Sequence, residues 1–291
     1  MTYRNRHTLL IEVDELASRL NDDGLRIIDC RFDLMSPESG HESYLAGHIP
    51  GAVYANLDTD LAAPVDVSTG RHPLPDAEIL ACTFRRLGVS RDTPVVVYDT
   101  AAGAMAARAW WSLRWLGHDD VKLLDGGLPA WEAAKLPLQD GAVAVEPGEF
   151  SAHPREGCLL TTSEVLAGLE GGGELLLVDA RDAARFRGEV EPIDARAGHI
   201  PGTRNLPFTE ALNEDGTFKR QEGLEALWRG VLGESTDSAW SVMCGSGVTA
   251  CHLALSALLA GYCEPSVYVG SWSEWIRDPD RPVATGDDRN T

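Results

Sequence analysis

Apolar positions in this chain come in short β-prone runs separated by stretches of helical spacing, and the runs recur. Ile27-Ile28-Asp29-Cys30-Arg31 is paralleled by Leu177-Val178-Asp179-Ala180-Arg181, each an apolar run leading into an acidic residue. Ahead of each stands a helical pattern, VDELASRL and TSEVLAGL, for which Asp14 or Ser163 is a candidate cap. AGHIPGA at 46–52 returns as AGHIPGT at 197–203, and VVVYD at 95–99 returns as WSVMC at 240–244 with a small-residue helix behind it. LLDGGLPAW at 123–131 returns as YVGSWSEW at 268–275. Matches in the same order describe an internal duplication.

Short strands alternating with helical segments predict α/β units, each a mainly parallel β-sheet with helices on both faces. Two tandem domains are expected, 1–143 and 158–291. They are joined by a linker at 144–157, within the Pro-, Gly- and Ala-rich stretch PLQDGAVAVEPGEFSAHPREG. The length of 291 residues suits two cores of ordinary size.

Composition narrows the partners. Apolar content of 44% and charged content of 24% are those of a globular protein. The formal net charge of −20 repels phosphate backbones and anionic lipid, so neither nucleic acid nor membrane is an expected partner. A small anionic substrate would need a local cluster of arginines. The cysteines at 30, 82, 158, 244, 251 and 263 form no CxxC pair and no disulfide framework, so free thiols are expected. The first residues lack an apolar run of signal-peptide length, which points to the cytoplasm.

The sharpest chemical feature is Cys244-Gly245-Ser246-Gly247-Val248-Thr249, set between a strand-like WSVM and the helical ACHLALSALLAGY. Such a loop turns backbone N–H groups toward one point, and the helix that follows adds its positive end. A thiolate or persulfide anion is stabilised there, which makes Cys244 the candidate nucleophile. Cys251 and Cys263 lie on or just past the apolar helix and read as core or near-surface thiols, and His252 as structural or exposed. No zinc-like spacing joins these residues, so neither a metal nor an organic cofactor is expected.

The tandem GHIPG motifs, DARDAARFRG at 179–188, CGSGVTACHLAL at 244–255 and GSWSEW at 270–275 resemble the tandem-domain rhodanese superfamily over nearly the whole chain. Within it, the neutral CGSGVT loop resembles the 3-mercaptopyruvate sulfurtransferases. Thiosulfate sulfurtransferases carry basic residues directly after the cysteine, where this chain has Gly245 and Ser246. A dianionic donor gains from cationic loop side chains, whereas mercaptopyruvate presents one carboxylate and a ketone.

The resemblance implies that Cys244 carries a persulfide and that the loop residues Gly245, Gly247, Val248 and Thr249 cradle the donor. It further implies that Arg185, in Ala184-Arg185-Phe186, binds the donor. The loop EVEPIDARAGHI offers only Arg196 as a second arginine. For Arg181, Arg187 and Arg196 the competing reading is surface solvation or ion pairing with nearby acids, and for Arg187 it is the preferred one. A Ser-His-Asp relay is implied for Ser246, His72 of GRHPLP and Asp58 of YANLDTD, with Asp60 a rival for Asp58. The first repeat has Asp99 where the second has Cys244 and is expected to be catalytically silent.

The expected reaction moves sulfur from 3-mercaptopyruvate to cyanide or a thiol acceptor, such as thioredoxin or a low-molecular-weight thiol, through the Cys244 persulfide. Thiosulfate:cyanide sulfur transfer and a non-catalytic persulfide carrier are the rival expectations. A phosphatase is disfavoured, because its Cys-x5-Arg loop would need arginine at Ala250.

Overall fold

The computed structural model describes residues 6–22, 24–171, 175–233 and 239–287. By contact density the chain divides into two units. The first holds residues 1–63, 75–155 and 212–218, and the second holds 64–74, 156–211 and 219–291. The 64–74 segment, which carries His72, therefore belongs to the second unit.

The first unit is built on β1 (Leu10–Ile11), β2 (Arg26–Asp29), β3 (Val53–Tyr54), β4 (Val95–Tyr98) and β5 (Val121–Leu124). The second has β6 (Leu159–Leu160), β7 (Leu177–Asp179), β8 (Arg204–Asn205), β9 (Ser241–Met243) and β10 (Ser266–Tyr268). Both sheets are parallel, in the matching orders β1-β5-β4-β2-β3 and β6-β10-β9-β7-β8. Ile28 pairs with Val97 as Val178 pairs with Val242. In the second sheet the connection leaves β7 toward β8 and then returns to the other side of β7 as β9. The crevice beyond the carboxyl ends of β7 and β9 is the topological switch point, where α/β sheets place their ligands.

Each unit has its own core. Ile27, Ile49, Val96, Tyr98, Leu124 and Trp131 pack in the first, and Leu177, Ile200, Met243, Tyr268, Trp272 and Trp275 in the second. The repeated motifs clasp one another. Asp29 holds Arg31, whose Nη2 donates to the Gly47 carbonyl at 2.7 Å. Asp179 likewise holds Arg181, whose Nη2 donates to the Gly198 carbonyl at 2.8 Å. The His of each GHIPG is bound through Nδ1 to a carbonyl, His48 to Tyr44 and His199 to Phe186, each at 2.8 Å. Both motifs thus serve the fold, and Arg181 is buried in an ion pair with Asp179 as part of that clasp.

Two local expectations differ from the structure. Thr161 caps the helix Thr162–Glu170 in a full capping box with Glu164, and the helix Val13–Ser18 starts after Glu12 without a side-chain cap. Ser163 is already inside its helix, where its hydroxyl cannot reach the second or third N–H. The 144–157 stretch, expected as a linker, is fastened to the first unit as far as Arg155. Gly148, His153 and Arg155 donate backbone hydrogen bonds to carbonyls of Arg85, Leu116 and Trp115. Phe150 is buried against Phe84 and His118.

Candidate active site

Cys244 follows β9 directly, at the carboxyl edge of the central strand, and the helix Thr249–Leu259 begins five residues later. Cys244 is buried, 2% exposed. The Gly247 N–H donates to Sγ at 3.1 Å. Gly247 has φ +76°, and a Cβ there would lie 2.3 Å from the Val269 carbonyl oxygen, so the turn that aims this N–H at sulfur requires glycine. The loop is held from behind by the GSWSEW segment. The Cys244 N–H donates to Ser271 Oγ at 3.1 Å, and the N–H groups of Trp272 and Ser273 donate to the Cys244 and Gly245 carbonyls at 3.1 and 2.8 Å. Ser271 adopts φ +53° to do this, an unusual conformation for a residue with a side chain.

The same segment receives residues 64–74. Arg277 Nε donates to the Thr69 carbonyl at 2.9 Å, and the Arg71 N–H to Ser273 Oγ at 3.0 Å. Gly70 passes so close that a Cβ there would lie 2.7 Å from the Gly270 carbonyl oxygen. This fastening delivers His72, buried like Ser246, with Nδ1 2.7 Å from Ser246 Oγ. The hydroxyl-imidazole pair expected from sequence is thus brought together beside the thiol-bearing loop.

Arg185 reaches the loop from the short helix Ala183–Phe186. Its Nε and Nη2 donate to Glu191, and Nη2 also to Asp194 Oδ2 at 3.0 Å. Burial alone would raise the Glu191 carboxyl, but the Arg185 guanidinium and the Asp194 and Ile193 N–H groups hold it below its ordinary value. Arg181 lies over the Trp272 ring, 4.6 Å from its centroid, and pairs with Glu191 from the other side at 3.6 Å. Trp272, Arg181, Glu191 and Arg185 therefore form a continuous support for one guanidinium.

For the second arginine the sequence offers Arg196. Arg196 Nη1 donates to the Pro279 and Arg281 carbonyls at 3.3 and 3.4 Å, a contact that ties two loops together. Arg71, which sequence reasoning passed over, pairs through Nη1 with Asp194 Oδ1 and extends over Gly245. Its signal was its place beside His72 in GRHPLP. Asp194 and Glu191 were also missed, because acidic residues look like solvated surface in a chain of this charge.

Val248 is buried at the helix start and Thr249 is its first residue. Asp58 and Asp60 belong to the first unit. Asp60 accepts from the Asn56 N–H at 2.9 Å and pairs with Arg86, while burial raises the Asp58 carboxyl. Among the described residues, no group of three His, Cys, Asp or Glu side chains could hold a metal ion. No described helix is long and apolar enough to cross a membrane.

Two matching parallel α/β units, with a buried thiol at the switch point of the second, define a tandem protein built around one cysteine loop. The chain belongs to the rhodanese family: the model of the rhodanese-like domain matches residues 12–134 and again 161–278. A Pseudomonas aeruginosa protein with the provisional name 3-mercaptopyruvate sulfurtransferase is 49% identical over 96% of this chain and 98% of its own length. A Mycobacterium tuberculosis protein with the provisional name thiosulfate sulfurtransferase SseB is 41% identical over 97% and 98%. The crystal structure of SseA from Escherichia coli, described as a 3-mercaptopyruvate sulfurtransferase, superposes with a TM-score of 0.79 at 37% identity, covering 91% of this chain and 98% of that one.

Proposed function

We propose that this protein is a 3-mercaptopyruvate sulfurtransferase working through a persulfide on Cys244. The observation that carries this reading is the neutral loop: Gly245 and Ser246 follow the cysteine, and the Ser246 hydroxyl is engaged by His72 at 2.7 Å. Cations stand outside the loop rather than on it, which suits a donor with a single carboxylate and a polarisable ketone.

In the first half-reaction the Cys244 thiolate attacks the donor's sulfur. The S–S bond forms as the C–S bond breaks, and its electron pair leaves with pyruvate as the enolate. Ser246, relayed by His72, returns a proton to that enolate. In the second half-reaction an acceptor thiolate attacks the outer sulfur of the persulfide, carrying it away and restoring the Cys244 thiolate. The Gly247 N–H and the helix Thr249–Leu259 stabilise the sulfur anion at both stages. Arg185 binds the donor's carboxylate and keto oxygen. The acceptor is a small thiol or a thioredoxin-like dithiol. All six cysteines are free, as a reducing compartment such as the cytoplasm would keep them. Asp58 is kept as the carboxylate orienting His72, on the strength of its motif.

The test is intact-mass analysis of reduced protein mixed with 3-mercaptopyruvate, alongside kcat/KM for that donor and for thiosulfate. One added sulfur that disappears in Cys244→Ser, with mercaptopyruvate the better donor, is expected. A higher kcat/KM for thiosulfate would favour the activity named for the M. tuberculosis relative. A persulfide that no thiol discharges would make the protein a carrier.

A further inference from the structure

We propose that Asp194 is a specificity-determining residue, whose carboxylate cancels positive charge beside the cysteine loop and so turns away dianionic sulfur donors such as thiosulfate. The inference rests on the sulfurtransferase reading above. A neutral loop does not refuse a dianion by itself, because guanidinium groups reach it from outside. A Cβ built on Gly245, the residue after Cys244, would lie 3.0 Å from Arg71 Nη2 and 3.7 Å from Arg185 Nη2. Left unpaired, those cations would act as basic side chains on the loop itself would, and favour the more highly charged donor. Asp194 stands between them, accepting through Oδ1 from Arg71 Nη1 and through Oδ2 from Arg185 Nη2 at 3.0 Å.

The charges of this group balance. Arg181 has Asp179, Arg185 has Glu191 and Arg71 has Asp194, so the paired side chains carry no net charge beside the nucleophile. The Asp194 side chain is only 4% exposed, so water and salt screen it little. Glu191 fixes it there: Oε1 accepts from the Asp194 N–H at 3.0 Å and from the Ile193 N–H at 3.1 Å, folding this stretch into a turn. Because Glu191 holds the backbone, the charge at 194 can be removed without removing the shape. An asparagine there matches aspartate in outline and keeps an acceptor for one guanidinium. Glu189, on the same loop, is the contrast: its carboxylate is 56% exposed and paired with Arg187, where solvent screens it.

The experiment compares wild type, Asp194→Asn, Asp194→Glu and the surface control Glu189→Gln. The donors are thiosulfate and methanethiosulfonate, which offer the same kind of sulfane sulfur on a dianion and a monoanion. In a two-step cycle kcat/KM for a donor reports sulfur loading alone. Asp194→Asn should raise the thiosulfate-to-methanethiosulfonate ratio of kcat/KM roughly 5- to 30-fold, as for one unit charge a few ångströms away at intermediate dielectric. Asp194→Glu keeps the charge and should keep the ratio even where it slows both donors, and Glu189→Gln should leave it unchanged. A second readout needs no sulfur transfer: alkylation of Cys244 by iodoacetate relative to iodoacetamide, followed by peptide mass, should rise in Asp194→Asn by a comparable factor. An unchanged ratio in either pair of reagents would overturn the proposal. An equal shift in Asp194→Glu or Glu189→Gln would also overturn it, because it marks a structural or long-range effect. If wild type takes no sulfur from mercaptopyruvate the activity proposed above fails, and the alkylation ratio still decides the role of Asp194. Should Asp194→Asn fail to fold, Glu191→Gln removes the same charge from Arg185 and should move both ratios in the same direction, and no movement would overturn the proposal.

Discussion

His72 Nδ1 and Ser246 Oγ stand 2.7 Å apart although 174 positions separate them in the chain. The pairing exists because residues 64–74 leave the first repeat and pack on the GSWSEW segment that also braces the cysteine loop. A hydroxyl so engaged can hand a proton to a leaving enolate and recover it through the imidazole. His72→Ala and Ser246→Ala should each lower kcat with 3-mercaptopyruvate by about 10²- to 10⁴-fold. Thiosulfate, whose departing sulfite needs no carbon protonation, should lose far less. Steady-state kinetics with both donors check this, and equal losses would refute the relay.

Gly247 and Gly202 share φ +76°, but only Gly247 faces an obstacle, the Val269 carbonyl; a Cβ at Gly202 meets nothing within 4 Å. Gly202→Ala should cost about 1–2 kcal/mol, the left-handed penalty alone, and leave sulfur loading intact. Gly247→Ala must move the turn itself, taking the N–H away from Cys244 Sγ. It should lower the rate of persulfide formation at least tenfold. Thermal unfolding together with time-resolved intact mass separates the two effects, and equal loading rates would show that the Gly247 N–H is dispensable.

The duplication, the parallel α/β architecture and the cysteine loop could all be read from the chain, because each is a local pattern: an apolar run, a glycine turn, a helix start. Arg71, Asp194 and Glu191 could not. Their importance depends on where the 64–74 and 189–197 loops lie, and loop paths are set by long-range hydrogen bonds such as Arg277 to Thr69. The repeated Asp-x-Arg and GHIPG motifs were visible, yet nothing in either alone reveals that the arginine of one bonds the glycine carbonyl of the other. Nor does the sequence show that Arg196 Nη1 donates to the Pro279 and Arg281 carbonyls, more than eighty positions away.

The Glu191 carboxyl, held below its ordinary value, links the donor-binding loop to pH. A carboxylate whose folded-state pKa is depressed contributes stability that is fully present above its unfolded value. That stability is lost as pH falls through the folded value. The loop around Arg185 should therefore loosen only below about pH 4.3, where an unperturbed glutamate protonates. Glu191→Gln should show a smaller fall in thermal midpoint than wild type between about pH 5 and 3. Calorimetry over that range tests the linkage, and parallel curves for the two proteins would remove Glu191 from it.

Asp99 stands in the first repeat where Cys244 stands in the second, and its carboxylate fills its own loop. Oδ1 accepts from the Ala101 and Gly103 N–H groups at 2.8 Å each, and Oδ2 from Met105 and Ala106 at 2.7 and 2.8 Å. Burial raises this carboxyl, and the four N–H groups pull against it. The rest of the chemistry is missing: Ala101 occupies the position of Ser246, and six residues after Asp29 stands Met35, where six after Asp179 stands Arg185. Introducing a nucleophile should therefore not create a second active site. Asp99→Cys in a Cys244→Ser background should take up no sulfur from mercaptopyruvate. It should also lose roughly 1–3 kcal/mol or more of stability, because the buried N–H groups of Gly103 and Ala106 are left without their acceptor. Intact mass and thermal unfolding read the two outcomes separately. Sulfur bound at the substituted position would mean that a thiol at a strand end suffices, and that Ser246 and the arginines serve something other than sulfur transfer.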